Sequence, residues 1–230
     1  MDQGTVRTCV RYPVKSLLGE EVDRVEVDQR GVVADRWWAL RTPEGRFGSG
    51  KSTRRFVRLP KLLEMSSRLS NGGAVLRLPD GREFDVADPE LSPPLSEVVG
   101  QPVAVARESD VWHMDGGAVH LVTTASLRWW SEVVGEPVSW RRCRPNFVVD
   151  LPGEDRLEDR WVGRMLAVGD AVLEVDETTE RCVMIGHGQG ALPAVPGLLK
   201  SLAGMALTFG VYARVLRPGL VSVGDQVALV

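Results

Sequence analysis

Two segments with the same pattern constrain the fold more than any other feature of the chain. Residues 168–175 read VGDAVLEV and residues 223–230 read VGDQVALV, so each is a turn followed by alternating apolar and polar residues. Strict alternation is typical of a β-strand with one buried face. A turn-and-strand unit that recurs in this way predicts a barrel-like β architecture.

Other segments extend this prediction over most of the chain. TVRTCVRY, VDRVEVD and DRWWALR predict strands in the first 41 residues, and LRLPDGREFDV predicts a hairpin that reverses at Asp80 and Gly81. Few helices are expected: SEVVG ending at Gly100, a helix from Thr123 or Thr124 to Gly135, and GLLKSLAG. We therefore predict a β-rich α+β fold.

The length of 230 residues fits one large domain or two small ones. The segment DVWHMDGGA, at 110–118, contains adjacent glycines and resembles an exposed connection. We place the domain boundary there, which predicts a smaller N-terminal β domain over 1–108 and a barrel domain over 109–230.

Charge and cysteine content limit the classes of function. A net charge of −3 gives no electrostatic reason to expect nucleic-acid binding, although the first sixty residues carry 12 Lys plus Arg against 8 Asp plus Glu. Three cysteines are too few for a disulfide framework and favour a reducing compartment. The N-terminus has no signal-peptide pattern, and no apolar stretch is long enough to span a bilayer. We expect a cytoplasmic protein without a membrane partner.

One motif matches a nucleotide-binding signature, but the residues that follow it do not predict the helix that such a site requires. GRFGSGKS, at 45–52, fits the phosphate-binding loop pattern, but that loop needs a long helix after it. The next residues, TRRFVRLPK, alternate like a strand and reach Pro60. We therefore favour a β-hairpin with Lys51 and Ser52 on its surface, and keep nucleotide binding as a minor alternative.

The candidate chemistry centres on Cys182 in TTERCVM. The alternating run AVLEVDE precedes it and a glycine-rich stretch follows, which predicts a sulfur atom at a strand end beside an open loop. Arg181 next to it would favour the thiolate. The alternative is an inert buried cysteine, because cysteine often serves as a small apolar residue. Polar groups that suit a phosphate monoester are Lys15, Ser16, Arg36, Ser126, Arg144 and Asn146.

Several segments together resemble one known family. In order, they are YPVKS, VVADRWWAL, HLVTTASL, RPNFVVD, RWVGRMLAVGDAVLEV, ERCVM and FGVYARVLRPGLVSVGDQV. They resemble the MOSC domain family with its N-terminal β-barrel partner domain, which includes relatives of molybdenum cofactor sulfurase and of the mitochondrial amidoxime-reducing component. The resemblance covers nearly the whole chain and implies a MOSC β-barrel domain with a smaller N-terminal β domain.

The resemblance also implies a site and a cofactor. Cys182 would bind the molybdenum of a molybdenum-pyranopterin cofactor, and sulfur is a suitable ligand for a soft site. Lys15, Ser16 and Arg36 would hold the pterin phosphate. The other implied cofactor-binding residues are Thr124, Ser126, Arg144, Asn146 and Arg181, of which Thr124 stands where an acidic residue often occurs in the animal reductases. Cys143, which precedes the RPN motif, is interpreted as a packing residue.

The function implied is the two-electron reduction of small N-hydroxylated or N-oxide substrates. The chain lacks the cysteines for an iron–sulfur cluster, so electrons would come from a separate ferredoxin, flavoprotein or haem protein. A rival hypothesis is a sulfur carrier or sulfurtransferase with a persulfide on Cys182. A third is a cofactor-binding module without catalytic activity.

Overall fold

The computed structural model describes residues 3–230, and nearly all of its regular structure is β. The first half contains β1 Gln3–Arg11, β2 Glu20–Val22, β3 Arg24–Asp28, β4 Gly31–Val32, β5 Trp38–Arg41, β6 Phe47–Ser49, β7 Phe56–Arg58, β8 Ser66–Ser70, β9 Gly73–Arg77, β10 Glu83–Asp85, α1 Ser92–Val99 and β11 Ala104–Arg107. The second half contains β12 Val119–Thr123, α2 Thr124–Val134, β13 Phe147–Asp150, β14 Met165–Val168, β15 Ala171–Glu180, β16 Thr208–Arg217, β17 Gly219–Ser222 and β18 Gln226–Leu229. Short 3₁₀ helices lie at 62–64, 89–91, 140–143, 157–161, 183–186 and 198–205.

Seven strands close into a barrel. Their order is β13-β12-β16-β15-β14-β18-β1, and β1 also pairs with β13, which completes the ring. Neighbours are antiparallel except β12 and β13, which are parallel. The predicted alternation is visible in β15, where Ala171, Leu173 and Val175 point into the core and the residues between them do not. This confirms the β-rich fold and the barrel that the repeated pattern predicted.

A smaller unit, residues 38–107, has a separate core, to which Val14 and Leu17 also contribute. It combines the four-stranded sheet β11-β5-β6-β7, the three-stranded sheet β10-β9-β8 and helix α1. Leu40, Met65, Leu76 and Leu95 are buried in its core and do not belong to the core of the barrel.

Strand pairing crosses residue 108. Strand β1 belongs to the barrel, where it lies between β13 and β18, and β3 pairs with β17. Val6, Cys9 and Val25 share a core with residues from the second half of the chain. The division into domains over 1–108 and 109–230 stays a prediction, and it places β1 apart from β13 and β18, because strand pairing over such distances has no local signal in the sequence.

The local predictions are confirmed. The hairpin β9–β10 reverses at Asp80 and Gly81, α1 ends at Gly100 and α2 ends at Gly135, both with left-handed glycines. The side chain of Thr123 caps α2 by accepting a hydrogen bond from the Ser126 N–H.

The GRFGSGKS motif has no helix after it. Strand β6 leads into an irregular segment and then β7, and the next helical turn is the 3₁₀ helix at 62–64. The predicted hairpin is correct for β5 and β6, which are antiparallel, but β6 and β7 are parallel. Lys51 and Ser52 therefore lie on a crossing segment and not in a hairpin turn.

None of the helices in residues 3–230 combines the length and the apolar character that crossing a bilayer requires.

Because β1 closes the barrel, we predict that a fragment of residues 109–230 does not fold alone. It would leave the edges of β13 and β18 unpaired and expose the apolar face that Val6 and Cys9 cover. We expect no cooperative thermal transition by circular dichroism, and a transition when a fragment of residues 1–37 is co-expressed. A monomeric 109–230 fragment that melts cooperatively would contradict this.

Candidate functional site

A loop after β1 is tied to β5 by backbone hydrogen bonds. The Lys15 N–H donates to the Trp38 carbonyl at 2.7 Å, and the Arg36 N–H donates to the Tyr12 carbonyl at 2.7 Å. The fully buried carboxylate of Asp35 accepts from the Tyr12 N–H at 2.7 Å. These bonds fix Lys15, Ser16 and Arg36 where the barrel meets the smaller unit.

Both units contribute to one cavity of about 200 Å³. The first half of the chain supplies Ser16, Arg36, Ser49 and Lys51. The second half of the chain supplies Asp115, His120, Arg144, Arg181, Cys182 and Tyr212, together with Cys143, Glu180 and Met184. Five of the predicted site residues therefore line one cavity: Ser16, Arg36, Arg144, Arg181 and Cys182.

Three of these lining residues have a left-handed backbone. The φ angles are 68° at Ser16, 54° at Arg36 and 57° at Arg144. A residue with a side chain disfavours this region by about 1–2 kcal/mol, and such strain is concentrated at functional sites. The backbone thus holds three polar side chains in the cavity wall at a cost to stability.

The cavity is strongly cationic. Arg36, Lys51, Arg144 and Arg181 line it, and the buried ammonium of Lys15 lies behind the wall. Arg144 donates to the Leu17 carbonyl at 2.6 Å and stacks 4.4 Å from the centre of the Tyr12 ring. Burial lowers the pKa of Arg144 to about 10, so it is still charged at neutral pH.

Lys15 is held by a carboxylate and does not line the cavity directly. Its ammonium contacts a carboxylate oxygen of Asp115 at 2.6 Å. Burial lowers the pKa of Lys15 to about 8, although Asp115 acts in the opposite direction. Burial alone would raise the pKa of Asp115, but the charges of Lys15 and Arg36 outweigh it and lower that pKa to about 2. Lys15 therefore acts on the cavity through its charge.

His120 lies between two arginines as a neutral ring. Its Nε2 is 3.4 Å from Nη1 of Arg181, and its Nδ1 is 3.5 Å from the Arg144 carbonyl. Burial and the charge of Arg181 hold the pKa of His120 well below its ordinary value. Arg181 also donates to the Cys143 carbonyl at 2.7 Å, whereas its buried Nε has no partner in residues 3–230.

Cys182 is the accessible thiol of the three cysteines. It follows β15, which ends at Glu180, and directly precedes the 3₁₀ helix at 183–186. It is half-buried, whereas Cys9 and Cys143 are fully buried. Burial raises the pKa of Cys9 to about 12 and that of Cys143 to about 11. The sulfur therefore lies at a strand end on a loop, as predicted. Cys143 packs in a hydrophobic core, in agreement with its interpretation, and also reaches the cavity wall.

Thr124 and Ser126 do not line the cavity. The Thr124 hydroxyl donates to Asp150 at 2.8 Å, and the Ser126 hydroxyl donates to the buried carboxylate of Glu158. Glu158 also accepts from the Thr123 hydroxyl at 2.7 Å. The N-terminus of α2 attracts an anion, as expected for a helix end, but Glu158 of the same chain occupies that position.

Asn146 lies behind the cavity. Its side-chain carbonyl accepts from the His120 N–H at 3.1 Å and its amide donates to the Val10 carbonyl at 3.3 Å. It thereby positions His120, and it reaches only a very small pocket beside Arg36 and Tyr212.

The other lining residues have no role in the predicted site, and the polar ones among them include Lys51, Asp115, His120 and Tyr212. One local signal exists for Asp115, the pair Gly116 and Gly117 after it. A Cβ atom on either glycine would lie 2.6 Å from an atom of Tyr212, so only glycine lets the chain cross the face of that ring. Lys51 belongs to the GRFGSGKS motif. The position of that motif beside the cavity depends on contacts distant in sequence.

Comparison with protein families decides the relationship. The family model of the MOSC domain matches residues 108–228, and the model of the MOSC N-terminal beta barrel domain matches residues 3–137. The chain belongs to the MOSC family. The resemblance noted in the sequence is thereby confirmed at the level of the family, and the cavity of this MOSC protein lies where residues from both matched regions meet.

One solved structure shares the fold of this chain. The YUAD protein from Bacillus subtilis matches with a TM-score of 0.55 at 15% identity, over 98% of this chain and 94% of that one. YiiM from Geobacillus stearothermophilus matches with a TM-score of 0.40 at 22% identity, over 50% of this chain and 54% of that one. The first likeness shows a shared fold, and the TM-score of the second is too low to support an argument. A search of curated proteins gave no match.

We predict that sulfate binds in the cavity and that its affinity falls between pH 7 and 9. The pKa of Lys15 is lowered to about 8, so the ammonium loses its proton in this window and leaves Asp115 as an unpaired negative charge. Sulfate keeps its charge throughout, so calorimetric titration should show a loss of about threefold to tenfold. Lys15→Gln should bind weakly at both pH values, and Lys200→Gln, an exposed control, should behave as wild type. An affinity that does not change with pH would contradict this.

We also predict that Ser126→Ala destabilises the protein without affecting sulfate binding. The change removes one hydrogen-bond donor from the buried Glu158 carboxylate, which typically costs about 1–3 kcal/mol. The free energy of unfolding in urea and the sulfate affinity measure the two effects. A weaker affinity with unchanged stability would instead return Ser126 to the site.

Proposed function

We propose that this MOSC protein binds a molybdenum-pyranopterin cofactor in the cavity and uses it to reduce small N-hydroxylated or N-oxide substrates. One observation carries the proposal: the accessible Cys182 thiol lines the same cavity as four cationic side chains. A soft metal ligand and a phosphate-binding set in one cavity suit a cofactor that contains both a metal and a phosphate.

The residues fit such a group. Arg36 and Arg144 offer planar guanidinium groups and Lys51 offers a point charge, which together suit a phosphate monoester. The buried Nε of Arg181, which has no partner within residues 3–230, is a free donor beside Cys182. Among those residues, no group of three or more His, Cys, Asp or Glu side chains is arranged to hold a metal ion. Cys182 would thus be a single protein ligand to a metal that is otherwise held by its own cofactor.

When bound, the cofactor supplies two-electron oxygen-atom chemistry. The residues around it would bind the phosphate and manage protons. Burial raises the pKa of Tyr212, so its phenol keeps its proton at neutral pH and is an O–H donor in the cavity wall. His120 is neutral and is therefore a hydrogen-bond partner of Arg181, not a cationic acid.

The electrons for this reaction would come from another protein. Conversion of an N–OH group to N–H and water requires two electrons and two protons, and the three cysteines of this chain cannot hold an iron–sulfur cluster. A ferredoxin, a flavoprotein or a haem protein would supply them.

The three cysteines form no disulfide, and we propose a cytoplasmic location because free cysteines favour a reducing compartment.

A second candidate uses the same thiol. Cys182 is half-buried and lines a cationic cavity, which also suits a cysteine that carries a persulfide sulfur. In that function the protein would be a sulfur carrier or sulfurtransferase, and no molybdenum would be bound.

We predict that Cys182→Ala abolishes or strongly lowers molybdenum content, whereas Cys143→Ala retains it. Both residues line the cavity, but Cys143 is fully buried and packs in a core. Elemental analysis of both variants and wild type, produced in a host that loads another molybdoenzyme, provides the measurement.

Three outcomes distinguish the candidates. Near-stoichiometric molybdenum in wild type and in Cys143→Ala supports the reductase, and reduction of a generic amidoxime then tests its activity. Metal absent from every form, with a persulfide mass on Cys182, supports the sulfur carrier. Loaded protein that cannot be reduced or turned over would indicate a binding module.

A further inference from the structure

A cluster of positive charge adjoins the cavity. Residues 45–61 contain no carboxylate, and they contain six cationic side chains: Arg46, Lys51, Arg54, Arg55, Arg58 and Lys61. The other 213 residues carry a net charge of −9. The charge of the protein is therefore strongly asymmetric, and this segment is its positive side.

The same segment lies against the loop that carries Cys182. Gly50 packs so closely on Met184 that a Cβ atom would lie 2.1 Å from its sulfur. Nε2 of His187 is 3.3 Å from the Gly50 carbonyl, and Lys51 lines the cavity itself. The segment therefore forms part of the cavity rim.

Most of these six cationic side chains are exposed to solvent, and none has a carboxylate partner in the described part of the chain. Ser52 to Arg55 are consecutive exposed residues, and Arg58 is also exposed. No carboxylate within residues 3–230 forms an ion pair with any of the six cations. We call Lys51, Arg54, Arg55 and Arg58 the basic rim.

An exposed tryptophan continues the basic rim. Trp112 is 54% exposed, and Nη2 of Arg55 donates to its backbone carbonyl. Arg55 is itself held in place, 5.1 Å from the centre of the Phe47 ring and 5.3 Å from that of Phe56. Tryptophan and arginine on a rigid support are the residues that contribute most to protein interfaces.

We propose that the basic rim, with Trp112, docks an acidic electron-transfer protein that delivers electrons to the cavity. This inference rests on the proposed function. Two one-electron deliveries from such a donor, together with two protons from solvent, convert the N–OH group of the substrate to N–H and water, and each delivery leaves one donor molecule oxidised. Complexes of this kind are small, weak and steered by charge, and a compact positive patch on a negative protein suits such an encounter.

A nucleic acid is less suited to the same surface. The negative remainder of the chain would repel a long polyanion, whereas an acidic protein can contact the rim alone. The position of the rim also agrees with electron delivery, because Lys51 belongs both to the rim and to the cavity wall.

The test uses the full chain and the double variant Arg54→Glu with Arg58→Glu, which leaves the cavity lining intact. The control is Arg7→Glu with Arg24→Glu, a matched charge change at exposed positions on β1 and β3. The probes are an acidic [2Fe–2S] ferredoxin and a flavodoxin, titrated at low ionic strength. We expect the rim variant to bind at least one probe about tenfold more weakly and the control to bind within about threefold of wild type, with the difference lost in high salt.

Turnover separates this proposal from the proposed function. With a reduced viologen dye as electron donor, wild type and rim variant should reduce an amidoxime equally, whereas with the protein donor only the rim variant should be slow. If the dye drives no turnover in wild type, the proposed function is contradicted. The docking proposal is then tested by the binding measurements alone. The docking proposal is overturned if neither probe binds wild type, if the rim variant binds as well as wild type, or if a single-stranded DNA oligonucleotide binds the rim more tightly than either probe.

Discussion

The pairing of β1 with both β13 and β18 is the constraint on which the rest of the structure depends. It closes the barrel, buries Val6 and Cys9 in the core, and fixes the direction in which the chain leaves the barrel after Arg11. Lys15 and Ser16 follow a few residues later: the Lys15 N–H donates to Trp38 of β5, and the Ser16 hydroxyl donates to the Gly48 carbonyl of β6. The position of these residues is thus a consequence of barrel closure, and the cavity lies where the two units are joined.

The cavity concentrates positive charge that folding alone would not favour. Buried or half-buried cations lose hydration, as the lowered pKa values of Lys15 and Arg144 indicate. Lys15 pairs with Asp115 and Arg36 with Asp35, whereas Arg144 has no carboxylate partner within residues 3–230. Left-handed backbone at Ser16, Arg36 and Arg144 adds a further cost. A loss of folding stability that is concentrated at one cavity is characteristic of a preformed binding site, because a bound anion would offset much of that loss.

The sequence predicts features that are local and misses those that are not. The reversal at Asp80 and Gly81 and the helix ends at Gly100 and Gly135 depend on nearby residues, and all are found. Family resemblance implied roles for Ser16, Arg36 and Cys182, and their placement in one cavity depends on contacts distant in sequence. Thr124 and Ser126 are predicted to bind the cofactor, but Glu158, which is distant in sequence, occupies the helix end beside Ser126. Lys51 and Asp115 have no local pattern that reveals the cavity.

Barrel closure also sets the order of events during synthesis. Strand β1 leaves the ribosome early, whereas its neighbours β13 and β18 follow more than a hundred residues later. Residues 3–9 of β1 must therefore wait for β13 and β18, although β2 is available early to pair with the end of the strand. Contacts so distant in sequence form slowly. The smaller unit can fold in the meantime, because Val14, Leu17 and the other residues of its core all precede β12. The cavity is consequently complete only once β13 and β18 have joined β1 in the ring.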